Sequence, residues 1–405
     1  MRQLTILGST GSIGQSTLDV VRQRRDQFGV YALVAGRNVE ELARQTVEFR
    51  PRVAVVASEQ DIPRLQAALE KCGMERAAQP ELAAGAAAYR NVAVASESGC
   101  LVSAIVGVAG LEATYAAACA GKRIGLANKE TLVAAGSLVM DAVARHGAEL
   151  IPIDSEHNGA HQCLRAGRRQ EVTRLILTAS GGPFRNTPGE ALRDVSPAQA
   201  LNHPTWKMGP RITVDSATLM NKGFEVIEAC WLFGFSPNEV DVVVHPQSTV
   251  HAMVEYNDGS VIAQVCATDM RMPIQYALTW PERLAAPVPR LDWREARSWE
   301  FTPPDFGKFP LLRLAYEAQR AGGSATCVLN ASDEIAVEAF LNGRLSFTGI
   351  AEVVEETLAR AGARSAASVD DVLEIDREAR RLASTIVDER QSAPLTVALR
   401  AAEQG

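Results

Sequence analysis

Short aliphatic runs, LTILG, VYALVAG, VAVVA, NVAVA, SAIVGV, RIGLAN and ELIPI, recur from residue 3 to about residue 150, with helix-patterned segments between them. Runs that are apolar at successive positions belong to strands covered on both faces, and their alternation with helices predicts βαβ units around a parallel sheet. The Ala-rich stretch around residues 82–89 reads as helix. After IPIDSEHNGAH the pattern changes. RLILTAS ends in a Gly-Gly-Pro turn, and the polar stretch SPAQALNHPTWKMGP precedes a run read as a strand, RITVDS. VDVVVHPQ, STVHAMVEY and SVIAQVCA follow, with Asn257-Asp258-Gly259 as a hairpin turn between the last two, so a mixed α+β domain is expected. Residues 281–310 are proline-rich and irregular, which suits a linker. From Leu311 onward the helical periodicity is broken only by capping residues and glycines, as in a helical bundle.

A chain of 405 residues exceeds one hydrophobic core, and 47% apolar content can fill two or three. The net charge of −7 comes from interspersed signs with no polybasic block, which argues against a nucleic-acid or membrane-surface protein. No run approaches the length of a charge-free membrane span. Seven cysteines are scattered without a CxxC pair, so neither a disulfide framework nor a thiolate zinc site is suggested. Because MRQLTILG runs directly into an apolar strand without a leader pattern, a cytoplasmic protein is expected.

The first strand enters GSTGSIG, where Gly8, Gly11 and Gly14 are spaced by three and Ser12 stands where it could cap the next helix. Glycines allow a tight turn and close approach of backbone N–H groups to phosphate, and the helix N-terminus adds positive potential. Strand before and helix after give this turn the context of a Rossmann-like dinucleotide site. The second strand ends not in the carboxylate that an NAD ribose wants but in Arg37 and Asn38, a cation and an amide that favour the 2′-phosphate of NADP(H).

IPIDSEHN raises a different question. Read as the end of a strand, it sends Asp154 and Glu156 to one face and Ser155 to the other. Two like charges so close call for solvent or a hard dication, and all-oxygen ligands suit Mg²⁺ or Mn²⁺. His157 and His161 have the i, i+4 spacing of a zinc pair, but Asn158 and Gly159 follow and no glutamate occupies the base position, so the spacing is read as coincidence. Asn128, Lys129 and Glu130 follow a strand, at the sheet edge where ligands of such folds bind. Ser180 in a glycine turn, with Ser216, Asn221 and Lys222 near the start of a helix, makes a candidate phosphate cradle. Glu225 or Glu228 on that helix could add a third carboxylate. His203, Trp206 and Met208 lie in NHPTWKMGP, either a lid that excludes water or a surface loop anchored by its tryptophan. His251, within a strand, reads as a core histidine.

GSTGSIG, GRN, LANKE, PIDSEHN, SGGPF, HPTWKMG, DSATLMNKGFE and HPQSTVH, in this order, resemble the 1-deoxy-D-xylulose 5-phosphate reductoisomerase family of non-mevalonate isoprenoid biosynthesis. The resemblance spans essentially the whole chain. It implies a homodimer whose subunit has an NADPH-binding domain (1–151), a catalytic domain with metal and phosphate sites and a mobile loop (152–280), a linker (281–310) and a C-terminal helical domain (311–405). By resemblance, Asp154, Glu156 and Glu225 hold Mg²⁺ or Mn²⁺, which selects Glu225 over Glu228. Ser180, Ser216, Asn221 and Lys222 bind the phosphate of a small phosphorylated sugar, and Ser155 and Lys129 contact its other oxygens. His203, Trp206 and Met208 cover the substrate, with Gly209 near the nicotinamide. Thr10, Gly11, Ser12, Ile13 and Gly36 line the cofactor together with Arg37, Asn38, Asn128 and Glu130. Other members can carry lysine at the position of Arg37, so the cation is kept.

The implied reaction is a metal-assisted retro-aldol and re-aldol rearrangement, then hydride transfer from NADPH, giving 2-C-methyl-D-erythritol 4-phosphate. Two rivals stand beside it: another NADP-dependent, metal-using reductase that does not rearrange carbon, and a silent NADP-binding sensor.

Overall fold

The computed structural model describes residues 1–206 and 208–402, with side chains through residue 391. Its first fourteen strands and long helices alternate as β1 (Arg2–Leu7), α1 (Ser12–Gln23), β2 (Phe28–Val34), α2 (Val39–Phe49), β3 (Val53–Val56), α3 (Ile62–Lys71), β4 (Glu81–Ala84) and α4 (Gly85–Val94). They continue as β5 (Cys100–Ser103), α5 (Leu111–Cys119), β6 (Arg123–Leu126), α6 (Glu130–His146), β7 (Glu149–Pro152) and α7 (Ser155–Cys163). Next come β8 (Val172–Ala179), α8 (Pro197–Ala200), α9 (Pro210–Ala217), α10 (Met220–Phe233), β9 (Val240–Val244), β10 (Val250–Tyr256), β11 (Val261–Val265) and α11 (Arg271–Thr279). The chain ends with α12 (Pro310–Ala321), α13 (Ala325–Leu341), α14 (Phe347–Ala361) and α15 (Val369–Ala402).

Two compact units emerge. One comprises Met1–Thr131, Ser137–Arg165 and Gln264–Glu295; the other comprises Leu132–Gly136, Ala166–Ala263 and the chain from Ala296 onward. In the first unit the strands lie in the order β4-β3-β2-β1-β5-β6-β7, and every pair is parallel. Strand alternation divides the core between the two faces. Leu4, Ile6 and Leu33 join one buried cluster, whereas Leu7, Ala32 and Val34 join the other. The strand order reverses between β1 and β5, so the crevice beyond their carboxyl ends is the natural ligand edge of this sheet.

The second unit holds a sheet in the order β11-β10-β8-β9, with β8 antiparallel to β10 and parallel to β9. In its helical portion, α13 is buried along most of its length and packs against α12, α14 and α15. The expected α/β class, with an N-terminal parallel sheet, an α+β middle and C-terminal helices, is therefore observed. Among the described residues no helix is long and apolar enough to cross a membrane, and the seven cysteines are free thiols.

Several local readings are corrected. RITVDS is not a strand but most of α9: Gly209 stands at the N-cap in extended geometry, Pro210 fixes the first helical φ, and Thr213, Val214 and Asp215 are buried in succession, as a strand with one covered face would not allow. Residues 81–84 of the Ala-rich stretch pair with β3, and NVAVA falls largely inside α4. In SAIVGV only the serine is strand, the end of β5. Ser12 does not cap α1. Gly11 holds the N-cap position, without a side-chain bond, and Ser12 is already helical.

Candidate active site

The glycine turn after β1 is held by backbone packing. Gly8 takes φ +83°, and a Cβ there would meet the Ala104 carbonyl oxygen at 2.5 Å, beside the exit of β5. A Cβ on Gly14 would lie 2.4 Å from the carbonyl oxygens of both Gly8 and Ser9. Gly11 differs, because its nearest neighbour would be the Gly8 oxygen at 3.4 Å. Gly8 and Gly14 therefore shape the turn, and Gly11 leaves open space in front of it. Thr10 and Ile13 are half-buried beside the exposed Gly11 and Ser12. Past β2, Gly36, Arg37 and Asn38 are exposed, and Asn38 Oδ1 accepts from the Glu41 N–H at 3.1 Å to cap α2.

At the exit of β6, Asn128 works as a brace. Its Oδ1 accepts from Thr131 N at 2.8 Å and Thr131 Oγ1 at 2.6 Å, while its amide donates to Gly107 O at 3.0 Å and Glu130 Oε2 at 2.8 Å. Next to it the buried Lys129 is ion-paired with Asp154. Asp154 and Glu156 do not share a strand face, as the spacing had suggested. β7 ends at Pro152, Asp154 is the N-cap of α7, and Ser155 and Glu156 are its first helical residues. Ser155 Oγ donates to Glu156 Oε2 at 2.6 Å. Both carboxylates therefore sit at a helix N-terminus, where the dipole favours negative charge. His161 is engaged with aromatic side chains: its Nδ1 lies 2.9 Å from the Tyr276 hydroxyl and its ring packs edge-on to Trp280 at 4.7 Å. Burial there pushes His161 down to about 4.

In the second unit three predicted residues converge. His203 Nε2 is 3.0 Å from Ser180 Oγ and 3.1 Å from Ser216 Oγ, so the two hydroxyls share one imidazole nitrogen. Nδ1 of the same ring accepts from Thr205 N at 3.1 Å and Trp206 N at 2.9 Å. An Nδ1 that accepts puts the proton of a neutral imidazole on Nε2, which then donates toward the hydroxyls. Burial favours this neutral form by holding His203 below its usual range.

Ser180 is followed by Gly181 and Gly182 at φ +80° and +64°, and a Cβ on Gly182 would meet Ser216 O at 2.8 Å and Ala217 Cα at 3.0 Å. The glycine turn thus lies directly on the end of α9. Leu219 bridges α9 and α10 in the left-handed region at φ 62°, with its side chain 2% exposed. In the first turn of α10, Asn221 Nδ2 donates to Glu225 Oε1 at 2.7 Å, and the buried Lys222 is ion-paired with the other Glu225 oxygen. Glu228 is buried one turn further along α10. Trp206 and Met208 are half-buried, and Gly209 starts α9. His251 is buried in β10. The sequence reading missed Arg211, whose helix it took for a strand; Pro210 was the available signal.

A glycine turn at the switch point of a parallel sheet, joined in one chain to helix-borne carboxylates and a hydroxyl and ammonium cluster, defines a dinucleotide-dependent oxidoreductase. Family models described as 1-deoxy-D-xylulose 5-phosphate reductoisomerase and as its C-terminal domains match residues 4–136, 150–233 and 265–382. The chain belongs to the 1-deoxy-D-xylulose 5-phosphate reductoisomerase family. The reductoisomerase of Solibacter usitatus is 64% identical over 98% of this chain and 100% of its own, and that of Cupriavidus pinatubonensis is 51% identical over 95% and 97%. Among solved structures, the Zymomonas mobilis reductoisomerase in complex with NADPH is 44% identical, with a TM-score of 0.89 over 95% of this chain and 99% of that one. A reductoisomerase in complex with NADPH, fosmidomycin and magnesium is 39% identical, with a TM-score of 0.90 over 96% and 98%.

Proposed function

We propose that this chain rearranges and reduces 1-deoxy-D-xylulose 5-phosphate to 2-C-methyl-D-erythritol 4-phosphate, using NADPH and a divalent cation. The observation that carries this reading is the 64% identity, spread over 98% of the chain, to a protein of that name. Asp154, Glu156 and Glu225 are the metal ligands in this reading. Their donors are all carboxylate oxygens, which suit Mg²⁺ or Mn²⁺ better than a softer ion. When bound, the ion supplies Lewis-acid polarisation of the substrate oxygens, and NADPH supplies the hydride.

The chain's own residues do the rest. Lys129, beside Asp154, and Ser155 hold the ketone and hydroxyl oxygens in register with those carboxylates. Ser180, Ser216, Asn221 and Lys222 take the phosphate. The Nε2–H of His203 orients the two serine hydroxyls, so their lone pairs and protons are set before the ligand arrives. Trp206 and Met208 cover the reacting carbons and exclude water, with Gly209 beside the nicotinamide. Gly11, Ser12 and the N–H groups around Thr10 and Ile13 receive the pyrophosphate, while Asn128, Glu130 and Gly36 complete the cofactor wall. Arg37 and Asn38 take the 2′-phosphate.

We assign cofactor binding to residues 1–151, chemistry to 152–280, a linker to 281–310 and a supporting helical domain to 311–405. The working form in this reading is a cytoplasmic homodimer, and Mn²⁺ substitutes for Mg²⁺. Purified protein should oxidise NADPH in the presence of 1-deoxy-D-xylulose 5-phosphate only when Mg²⁺ or Mn²⁺ is present. Absorbance of the reduced nicotinamide with and without chelator checks this. A chelator-insensitive rate rejects the metal's role, and no NADPH consumption with metal present rejects the reaction.

A further inference from the structure

The helix that presents Ser216 is fastened at its other end to the C-terminal helices. Arg211 lies in the first turn of α9, where a cation opposes the helix dipole. Its hydrogen bonds to Glu334 and Asn330, by contrast, are long-range. Nη1 donates to Glu334 Oε1 at 2.7 Å and Nη2 to Asn330 Oδ1 at 2.8 Å, both on α13. Asp333 Oδ2 is 3.7 Å from Nη2, and Asp215, one turn along α9, is 3.7 Å from Nε. Asn330 and Asp333 are wholly buried. The second Glu334 oxygen accepts from Arg380 at 2.7 Å, and Arg380 also donates to Asp376 at 2.6 Å on α15. A planar fork held by an amide and a carboxylate is a directional anchor that an ammonium cannot copy.

We propose that Arg211 is a positioning residue for the substrate phosphate: by fixing the start of α9 to Asn330 and Glu334, it sets where Ser216 stands against Ser180 and His203. This rests on the phosphate reading of that cluster. α9 has only 8 residues, so it moves as a rigid rod, and Ser216 follows Arg211 by about 7.5 Å of helix rise. The far end of the rod has no slack, because Ser216 O and Ala217 Cα lie where a Cβ on Gly182 would approach to 2.8 and 3.0 Å. The anchor therefore acts on two contacts near hydrogen-bond length, Nε2 of His203 to Ser180 at 3.0 Å and to Ser216 at 3.1 Å. A shift of about half an ångström breaks them.

The test is steady-state kinetics of full-length Arg211→Met and Glu334→Gln with 1-deoxy-D-xylulose 5-phosphate, NADPH and Mg²⁺, beside a thermal melt of each. The expected result is a KM for the sugar phosphate raised tenfold or more, a KM for NADPH within twofold of wild type, and a double variant no worse than the poorer single one. A sugar-phosphate KM within twofold of wild type in a folded Arg211→Met overturns the proposal, as does a parallel rise in both KM values. Should Arg211→Met fail to fold, Arg211→Lys takes its place: a three- to tenfold rise in the sugar-phosphate KM supports the proposal, and wild-type values overturn it. If wild-type protein does not turn over this substrate, the functional reading fails by itself. The positioning claim is then read from inorganic phosphate binding, weakened by Arg211→Met if correct and unchanged if not.

Discussion

Replacing Gly14 by alanine separates the structural glycines of the first turn from the one that faces ligand. The added methyl carbon would lie 2.4 Å from two carbonyl oxygens and 2.5 Å from Ser9 C, all backbone atoms that cannot rotate aside. Ordinary contact needs about a further ångström, so either α1 or the turn must shift. Overpacking of a rigid site costs about 1–3 kcal/mol, and a backbone-on-backbone conflict belongs at the upper end of that range. For a unit of this size, about 3 kcal/mol corresponds to a fall of roughly 6–12 °C in Tm.

Gly11→Ala is the control. Its nearest contact is at 3.4 Å and its backbone is extended, so its Tm should stay near wild type. Its methyl should nevertheless raise the Kd for NADPH by about tenfold, a loss of about 1.4 kcal/mol. Thermal melts of the apo proteins and NADPH titrations by fluorescence read the two effects. A Gly14→Ala protein with wild-type Tm and Kd would refute the packing argument. A Gly11→Ala protein that loses stability but keeps its NADPH affinity would show that both glycines serve only the fold.

Three further outcomes are expected. Glu156→Gln should abolish metal-dependent NADPH oxidation and leave the NADPH Kd within twofold; loss of both together would indicate misfolding instead. Arg37→Ala should weaken NADPH by tenfold or more and NADH hardly at all, and an unchanged preference between the two, measured by parallel titrations, would contradict the 2′-phosphate assignment. His161 should make the protein acid-labile. With its folded pKa lowered from 6.5 to about 4, the unfolded chain binds a proton between those values that the folded chain refuses. Stability from this group is therefore full above pH 6.5 and falls as the pH drops toward 4, by at most about 3 kcal/mol. Melts from pH 8 to 4 should show a shallower slope for His161→Gln; identical slopes would refute the burial argument.

How legible the molecule was depended on whether a feature is local. The parallel sheet and its glycine turn could be read because a strand buried on both faces needs continuous apolar runs, and such runs show in any short window. The C-terminal helices were equally plain from their period. RITVDS misled because its β-branched residues carry strand propensity, while its helix is set by Pro210 in front and by burial of three successive positions. The carboxylate pair was found for an incomplete reason. Asp154 and Glu156 are prominent in sequence, but the chain leaves the strand at Pro152 and meets them as a helix start. Ser180 and Ser216 could be grouped from their residue types beside a glycine turn and a helix start, but that His203 joins them was not legible, because periodicity does not connect residues so far apart along the chain. Arg211 escaped altogether, since its partners Asn330 and Glu334 are more than a hundred positions away and each looks like an ordinary helix residue.

The bend at Leu219 sets conflicting demands on a single position. Glycine would release roughly 1–2 kcal/mol of conformational strain, yet deleting the buried isobutyl group would leave a void worth about 2–5 kcal/mol. Any bulky replacement keeps the strain and must also match the hole. A mutational library at residue 219 should therefore recover almost nothing but leucine and its nearest shape mimics, although this side chain bonds to no ligand in the proposed reaction.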